Sequence, residues 1–369
     1  PSRRPTALET LRRLQWIQRR PQRLLRRGLV AAILLAGAAG ATKYTLDLAT
    51  ERARAQGRTE AALGMMETLF TEQVPVLHEV GRLDAFDAAA EGVEAYFTRI
   101  ADEQPTDTEQ VQLARLLNLV GDVREMQGRG EEALARFEEA RVLADELAAR
   151  HPDDPEVLLV LGAAEFYIGR NDLQRDDAGA ALDRFQAYLD AAPRSAAHAP
   201  DRLRAVREVS YARTAVAGAL LDLGRADEAL AEQEQVVALW RDLCAERPGD
   251  EVVRLDLADN LSWLASAQRQ AGHDEAAHDS FEEELELRRD MVAEDPRNAE
   301  ARARLSYCLG FLADIHLATG RLDDAVDSAL EARDLLAGLC ELDPENADLA
   351  VSLEDAEQTL ARAEVAAGR

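Results

Sequence analysis

Residues 296–344 read PRNAEARARLSYCLGFLADIHLATGRLDDAVDSALEARDLLAGLCELDP, and the fold follows from this stretch. After Pro296 the run 301–319 holds no breaker and sets Leu305, Leu309, Leu312 and Ile315 at helical spacing. Gly320 follows where a helix C-terminus calls for a residue that takes positive φ without a Cβ penalty. Arg321-Leu322-Asp323-Asp324 then opens a second helix, its acids favoured by the positive end of the helix dipole. That helix carries Ala325, Ala329, Ala332, Leu336 and Leu339, and Pro344 ends it. The stretch predicts a helical hairpin whose two halves approach closely at the alanines.

The hairpin recurs along the chain. Pro152, Pro200, Pro248, Pro296 and Pro344 stand 48 residues apart, and Ala133, Ala181, Ala229, Ala277 and Ala325 keep the same step. Gly128, Gly224, Gly272, Gly320 and Gly368 share one register, with Asp176 in the place of a glycine. Phe137, Phe185 and Phe281 share another, where Gln233 and Ala329 are the substitutes. Such a register marks an array of like units, each needing its neighbours to cover its apolar faces.

Composition agrees with an all-α reading. Ala, Leu, Glu, Arg and Asp dominate, while aromatic residues make up only 5% of the 369 residues. The net charge of −27 is unevenly shared. Residues 1–27 hold nine arginines and one acid, Glu9, for a net of +8, which leaves −35 for the remainder. A body of that sign is unsuited to nucleic acid, whose phosphates call for a basic surface. It would favour a basic partner and speed the encounter, or serve solubility alone.

The small and large positions of the unit resemble those of the tetratricopeptide repeat. Gly121, Gly128, Ala133, Phe137 and Ala140 carry the likeness in the first full unit, and Leu261, Ala265, Gly272, Ala277 and Phe281 in the fourth. The resemblance implies a right-handed α-solenoid of stacked helical hairpins that binds protein or peptide. Units of 48 residues exceed the family's ~34 by two heptads, and each added heptad turns the apolar stripe by only ~20°. Five repeats are expected over 109–344, a degenerate leading hairpin over 49–108 and a capping helix over 345–369. If the family's groove positions carry over, the concave lining includes Asn118, Asp122, Phe166, Tyr211, Ser262, Arg269 and Tyr307. The lysine clamp that some relatives use for C-terminal carboxylates has no counterpart, since Lys43 is the only lysine.

The amino-terminal part reads differently. Gly28 to Thr42 is a 15-residue run without charge, flanked by Arg26, Arg27 and Lys43. We expect a single apolar anchor helix over 28–48, with the basic arm 1–27 in the cytoplasm and the repeats outside the membrane. A cleaved signal ending near Ala39-Gly40-Ala41 and a plain buried helix are the other readings. Leu8, Leu11, Leu14, Trp16 and Ile17 interleave with the arginines, so the arm suits either a lipid surface or a linker to upstream sequence.

An Arg-rich segment, one short span and an outer repeat arm together resemble the C-terminal part of bacterial membrane serine/threonine kinases. Leu77 to Phe97, with Gly81-Arg82-Leu83-Asp84, is similar to their post-membrane region. That resemblance implies a single-pass protein of the bacterial inner membrane with its catalytic domain upstream of Pro1. The arm of a membrane-bound transcription regulator or cyclase, or a secreted or cytosolic adaptor, fits the same features.

The sequence holds no phosphate-binding Gly-rich loop, no Gly-x-Ser-x-Gly elbow and no His-Glu-x-x-His pair. A non-catalytic chain without cofactor or metal is therefore expected. His273 and His278 fall on different helix faces, and His151 and His198 read as solvated loop residues. Asp153-Asp154 and Asp323-Asp324 read as helix-start charges. Cys244, Cys308 and Cys340 are expected as three buried, unbridged thiols.

Overall fold

The computed structural model describes residues 105–369 continuously, together with 43, 68, 90–92 and 95. The expected anchor (28–48), the basic arm (1–27) and all but a few residues of the leading hairpin (49–108) lie outside the described residues. Among the described residues no helix is long and apolar enough to cross a membrane.

Residues 105–369 form eleven α-helices, α1 (Asp107–Met126), α2 (Gly130–Arg150), α3 (Pro155–Gln174), α4 (Ala178–Ala196), α5 (Arg202–Asp222), α6 (Ala226–Glu246), α7 (Glu251–Gln270), α8 (Asp274–Glu294), α9 (Ala299–Thr319), α10 (Leu322–Leu342) and α11 (Ala347–Ala367). Each packs on its neighbours in sequence, giving five stacked pairs and a final helix. Odd-numbered helices also reach the next odd one, as in α1–α3, α3–α5, α5–α7 and α9–α11, whereas no two even helices do so to that extent. The odd helices therefore line the inner side of the stack.

The repeat register is visible in the backbone. Positive φ occurs at Gly128, Gly224, Gly272, Gly320 and Gly368, and at Asp176 where the glycine is missing. Odd helices begin with a side-chain cap: Thr106, Asp154, Asp201, Asp250, Asn298 and Asn346 each accept from an N-terminal backbone N–H. At Thr106 a capping box with Glu109 closes both directions. The even helices α2, α6, α8 and α10 lean on first-turn acids instead, such as Asp323 and Asp324 in α10, while α4 is capped by the Asp177 side chain.

Packing follows the same columns. Ala133, Ala181, Ala229, Ala277 and Ala325 are wholly buried where paired helices meet. The column of Phe137, Phe185, Gln233, Phe281 and Ala329 is buried throughout. At two points the phenyl ring demands glycine opposite. A Cβ on Gly121 would sit 2.3 Å from Phe137 Cε1, and one on Gly169 would sit 2.6 Å from Phe185 Cε1.

The cysteines are unbridged, as expected, but only Cys308 is buried; Cys244 and Cys340 are half-buried. Each of these two follows a buried leucine, Leu243 or Leu339, near the end of an even helix, and one step around the helix turns it partly to solvent.

Candidate functional site on the inner face

The sequence-predicted groove residues do not form one surface. Asn118 is 3% exposed, with Nδ2 donating to the Val160 carbonyl at 3.4 Å, so it joins α1 to α3 rather than facing a ligand. Asp122 accepts from Arg170 Nη2 at 2.6 Å, and the Arg170 guanidinium also covers the Tyr167 ring at 5.0 Å. Phe166 is half-buried among Tyr167, Phe185 and Tyr188, with ring centroids 5.6, 5.9 and 6.1 Å away. Arg269 is exposed near the end of α7. Tyr211 is 60% exposed on α5. Only Ser262 and Tyr307 come together, and they do so in a cavity.

That cavity has a volume of about 380 Å³ and lies between α7, α8 and α9. Of the consecutive odd helices, α7 and α9 are the pair that do not approach each other closely. The mouth is aromatic: Trp263, Tyr307 and Phe311 are 57%, 45% and 42% exposed. Phe311 stacks on the buried Phe281 at 5.6 Å between centroids and 16° between planes, which fixes its orientation. Tyr307 Oη lies 3.3 Å from Ser352 Oγ on α11.

The floor is charged. Arg288 Nε donates to Glu284 Oε1 at 2.9 Å, and its Nη2 donates to Asp259 Oδ1 at 2.7 Å. Arg304 Nη1 donates to the same Asp259 oxygen at 2.8 Å, so one aspartate ties α8 to α9 through two guanidinium groups. Glu284 and Arg288 are 2% and 4% exposed. Burial pushes the Glu284 carboxyl up from its usual range, with Arg288 and Ser262 opposing it. The same burial, together with nearby Glu284, pushes the Cys308 thiol up and makes it a poor nucleophile.

This floor breaks the repeat. The residues in register with Glu284 are Ala140, Tyr188, Val236 and Ala332, and those in register with Arg288 are Ala144, Ala192, Trp240 and Leu336, all buried. A buried pair in place of apolar side chains costs desolvation that the pairing repays only when every polar atom is satisfied. Here Glu284 Oε2 and Arg288 Nη1 are buried with no hydrogen-bond partner. The Ser262 hydroxyl is near enough to favour the charged carboxylate but makes no hydrogen bond of good geometry with it, so an acceptor and a donor stand unmatched in side chains that line an aromatic cavity. Asp259, Trp263, Glu284, Arg288, Arg304 and Phe311 were not among the sequence-predicted residues, although the break in the two apolar columns at 284 and 288 was there to find.

No family model matches the sequence, and no curated protein matches it. Among solved structures, it is similar to nearly identical TPR-like repeats of a putative kinesin light chain from Podosopora anserina, at 17% identity over 62% of this chain and 97% of that chain, with a TM-score of 0.47. It is also similar to a thermophilic TPR protein of Thermus thermophilus, at 23% identity over 66% and 99% of the two chains, with a TM-score of 0.34. YrrB, a TPR protein with an unusual peptide-binding site, is 15% identical over 71% and 98%, with a TM-score of 0.36. The stacked-hairpin architecture itself rests on this chain's own helices and register.

Proposed function

We propose that this chain is a non-catalytic interaction scaffold of the tetratricopeptide type, a right-handed solenoid whose inner face takes a peptide segment of a protein partner. The observation that carries this reading is the cavity floor, where Glu284 Oε2 and Arg288 Nη1 lack partners beneath three exposed aromatic rings. A peptide group or a side-chain amide offers both the N–H and the C=O that such a floor lacks, and leaving them unmet costs more than an apolar floor would. Exposed Trp and Tyr around a desolvated centre are the usual composition of a binding hot spot.

Peptide-library selection on the intact chain tests this. Peptides enriched on the parent should lose at least about tenfold in affinity, roughly 1.4 kcal/mol, against Trp263→Ala with Phe311→Ala. Equal affinity with unchanged helicity would remove the inner-face assignment.

The same proposal extends to the setting of the chain. Residues 28–48 anchor it once in a bacterial inner membrane, with the basic arm in the cytoplasm and the repeats outside, as the sensor arm of a serine/threonine kinase. What supports this is the contrast of +8 before the apolar run with −35 after it, since flanking arginines orient a span. The acidic body also favours a basic partner. Protease added to intact spheroplasts should digest the repeats; protection until lysis would reverse the topology.

A further inference from the structure

A second departure from the repeat lies in the first turns of α8. In register with His278 the other units place Leu134, Leu182, Leu230 and Val326, three of them buried and one half-buried. His278 is thus an imidazole in an apolar column. Glu282 lies one turn further along the same face of α8, and its Oε1 is 3.7 Å from His278 Nε2. From α9, thirty-eight residues along the chain, His316 brings its ring to 5.2 Å from that of His278. One ligand atom from each of His278, Glu282 and His316 lies within 4.8 Å of the other two.

The surroundings match what a metal-binding imidazole needs. Asp279 Oδ1 lies 3.5 Å from His278 Nδ1, on the ring atom opposite the one that faces Glu282. Ser328 Oγ lies 3.4 Å from His316 Nδ1, with the Asp324 backbone also against that ring. On His316 that outer contact holds the ring and leaves the other nitrogen for a cation, whereas His278 Nδ1 is buried with no hydrogen-bond partner of its own. The contact is itself a repeated one, since Ser280 Oγ donates to Gln268 Oε1 at 2.8 Å one unit earlier. Glu282, Asp279 and Asp324 add acidic charge around the two rings.

We propose that His278, Glu282 and His316 form a Zn²⁺ site that clamps α8 to α9. Two imidazoles and one carboxylate suit zinc, and three protein ligands leave a fourth position for water. Ligands about 2.1 Å from tetrahedral zinc stand about 3.4 Å apart, so the cluster closes by a little over ~1 Å. Glu282 is half exposed and free to turn toward the ion from 3.7 Å, and the rest of the closure falls to the His316 side of the cluster. The clamp would join the fourth helix pair to the fifth, beside the aromatic cavity.

Titration of Zn²⁺ alone into the untagged full chain tests the site, read by calorimetry and by thermal unfolding. One ion should bind per chain and raise the Tm, because a ligand held only by the folded state stabilises it. His278→Ala and Glu282→Gln should each weaken binding by at least about tenfold, with circular dichroism unchanged. His273→Ala, on an exposed histidine, should leave it intact. Glu282→Gln replaces a half-exposed side chain by one of equal size, so its result stands whether or not the histidine variant folds. No binding up to about 100 μM Zn²⁺, or affinity in Glu282→Gln and His278→Ala equal to that of the parent, would overturn the proposal. Co²⁺ in place of Zn²⁺ should develop intense visible bands of a four-coordinate ion, and a spectrum like that of the aqueous ion would count against it.

Discussion

The second and fourth helix pairs share one backbone plan and put opposite chemistry on it. In the second pair Phe166, Tyr167, Phe185 and Tyr188 fill the inner seam ring against ring, and Gly162 lacks a Cβ because one would lie 2.6 Å from Tyr188. In register with them the fourth pair has Ser262, Trp263, Phe281 and Glu284. Ser262 in the place of Phe166 leaves the volume open, Glu284 in the place of Tyr188 puts a carboxylate at its floor, and Arg288 stands where Ala192 packs. One pair is closed by apolar packing while the other is held open by charges. A repeat array can therefore keep its alanine and glycine columns as scaffold and vary a few inner positions to make one unit a site.

The largest effects should come from single truncations on either side of this comparison, and for different reasons. Tyr188→Ala empties a packed aromatic seam and should cost about 3–5 kcal/mol in urea unfolding. Arg288→Ala should cost a similar amount, about 3–5 kcal/mol, because it strands the Glu284 carboxylate rather than because it removes packing. The distinction shows in the double variant. Glu284→Val with Arg288→Leu gives the fourth pair the kind of side chains other units carry, and it should be neutral or up to about 1–4 kcal/mol more stable than the parent. The same variant should lose peptide binding at the aromatic cavity. A double variant as unstable as Arg288→Ala alone would mean that the floor is needed for folding, and the contrast with the second pair would fail.

The scaffold half of this contrast was legible in the sequence and the site half only partly. The glycine register predicted the left-handed residues, and Asp176 takes φ 60 in the place where the glycine is absent. An interval of 48 fixes where helices turn, because αL caps and proline starts are local. Whether an inner residue is exposed is not local. Asn118 and Ser262 occupy the same register, yet α3 covers the first while the second lines the cavity between α7, α8 and α9. Transfer of family groove positions therefore reached Ser262 and Tyr307 but passed over Trp263 and Phe311. His316 could not be linked to His278 from sequence, since their meeting depends on how α8 packs on α9.

Helix glycines sharpen the comparison at a smaller scale. Gly121 faces Phe137 so closely that Gly121→Ala should cost about 1–3 kcal/mol through overpacking. Gly310, in register with Ser262, meets nothing within 4 Å, and Gly310→Ala should instead gain about 0.5–1 kcal/mol from helix propensity. Opposite signs for two glycines inside inner helices would confirm that the first pair is full there and the fifth is not. Equal signs would mean that the stack relaxes around Gly121.

The smallest effect is a dependence on pH that belongs to the packed region. Glu208 on α5 is pushed above the usual carboxylate range, chiefly by burial, against the opposing hydrogen bond from Tyr188 and the charge of Arg204. Glu156 and His198 line the same crevice. A carboxyl whose pKa is raised on folding holds its proton more tightly in the folded chain. Its stabilising contribution is full below the ordinary value of about 4.3 and is lost as the pH rises through the raised value. Glu208→Gln keeps the shape and has no charge to desolvate, so it should be more stable than the parent at neutral pH. The gap in Tm between the two should close as the pH falls toward about 4, where the parent's carboxyl is protonated as well. A gap that widens on acidification would mean that Tyr188 and Arg204 outweigh burial, and that the aromatic seam stabilises a carboxylate rather than merely excluding water.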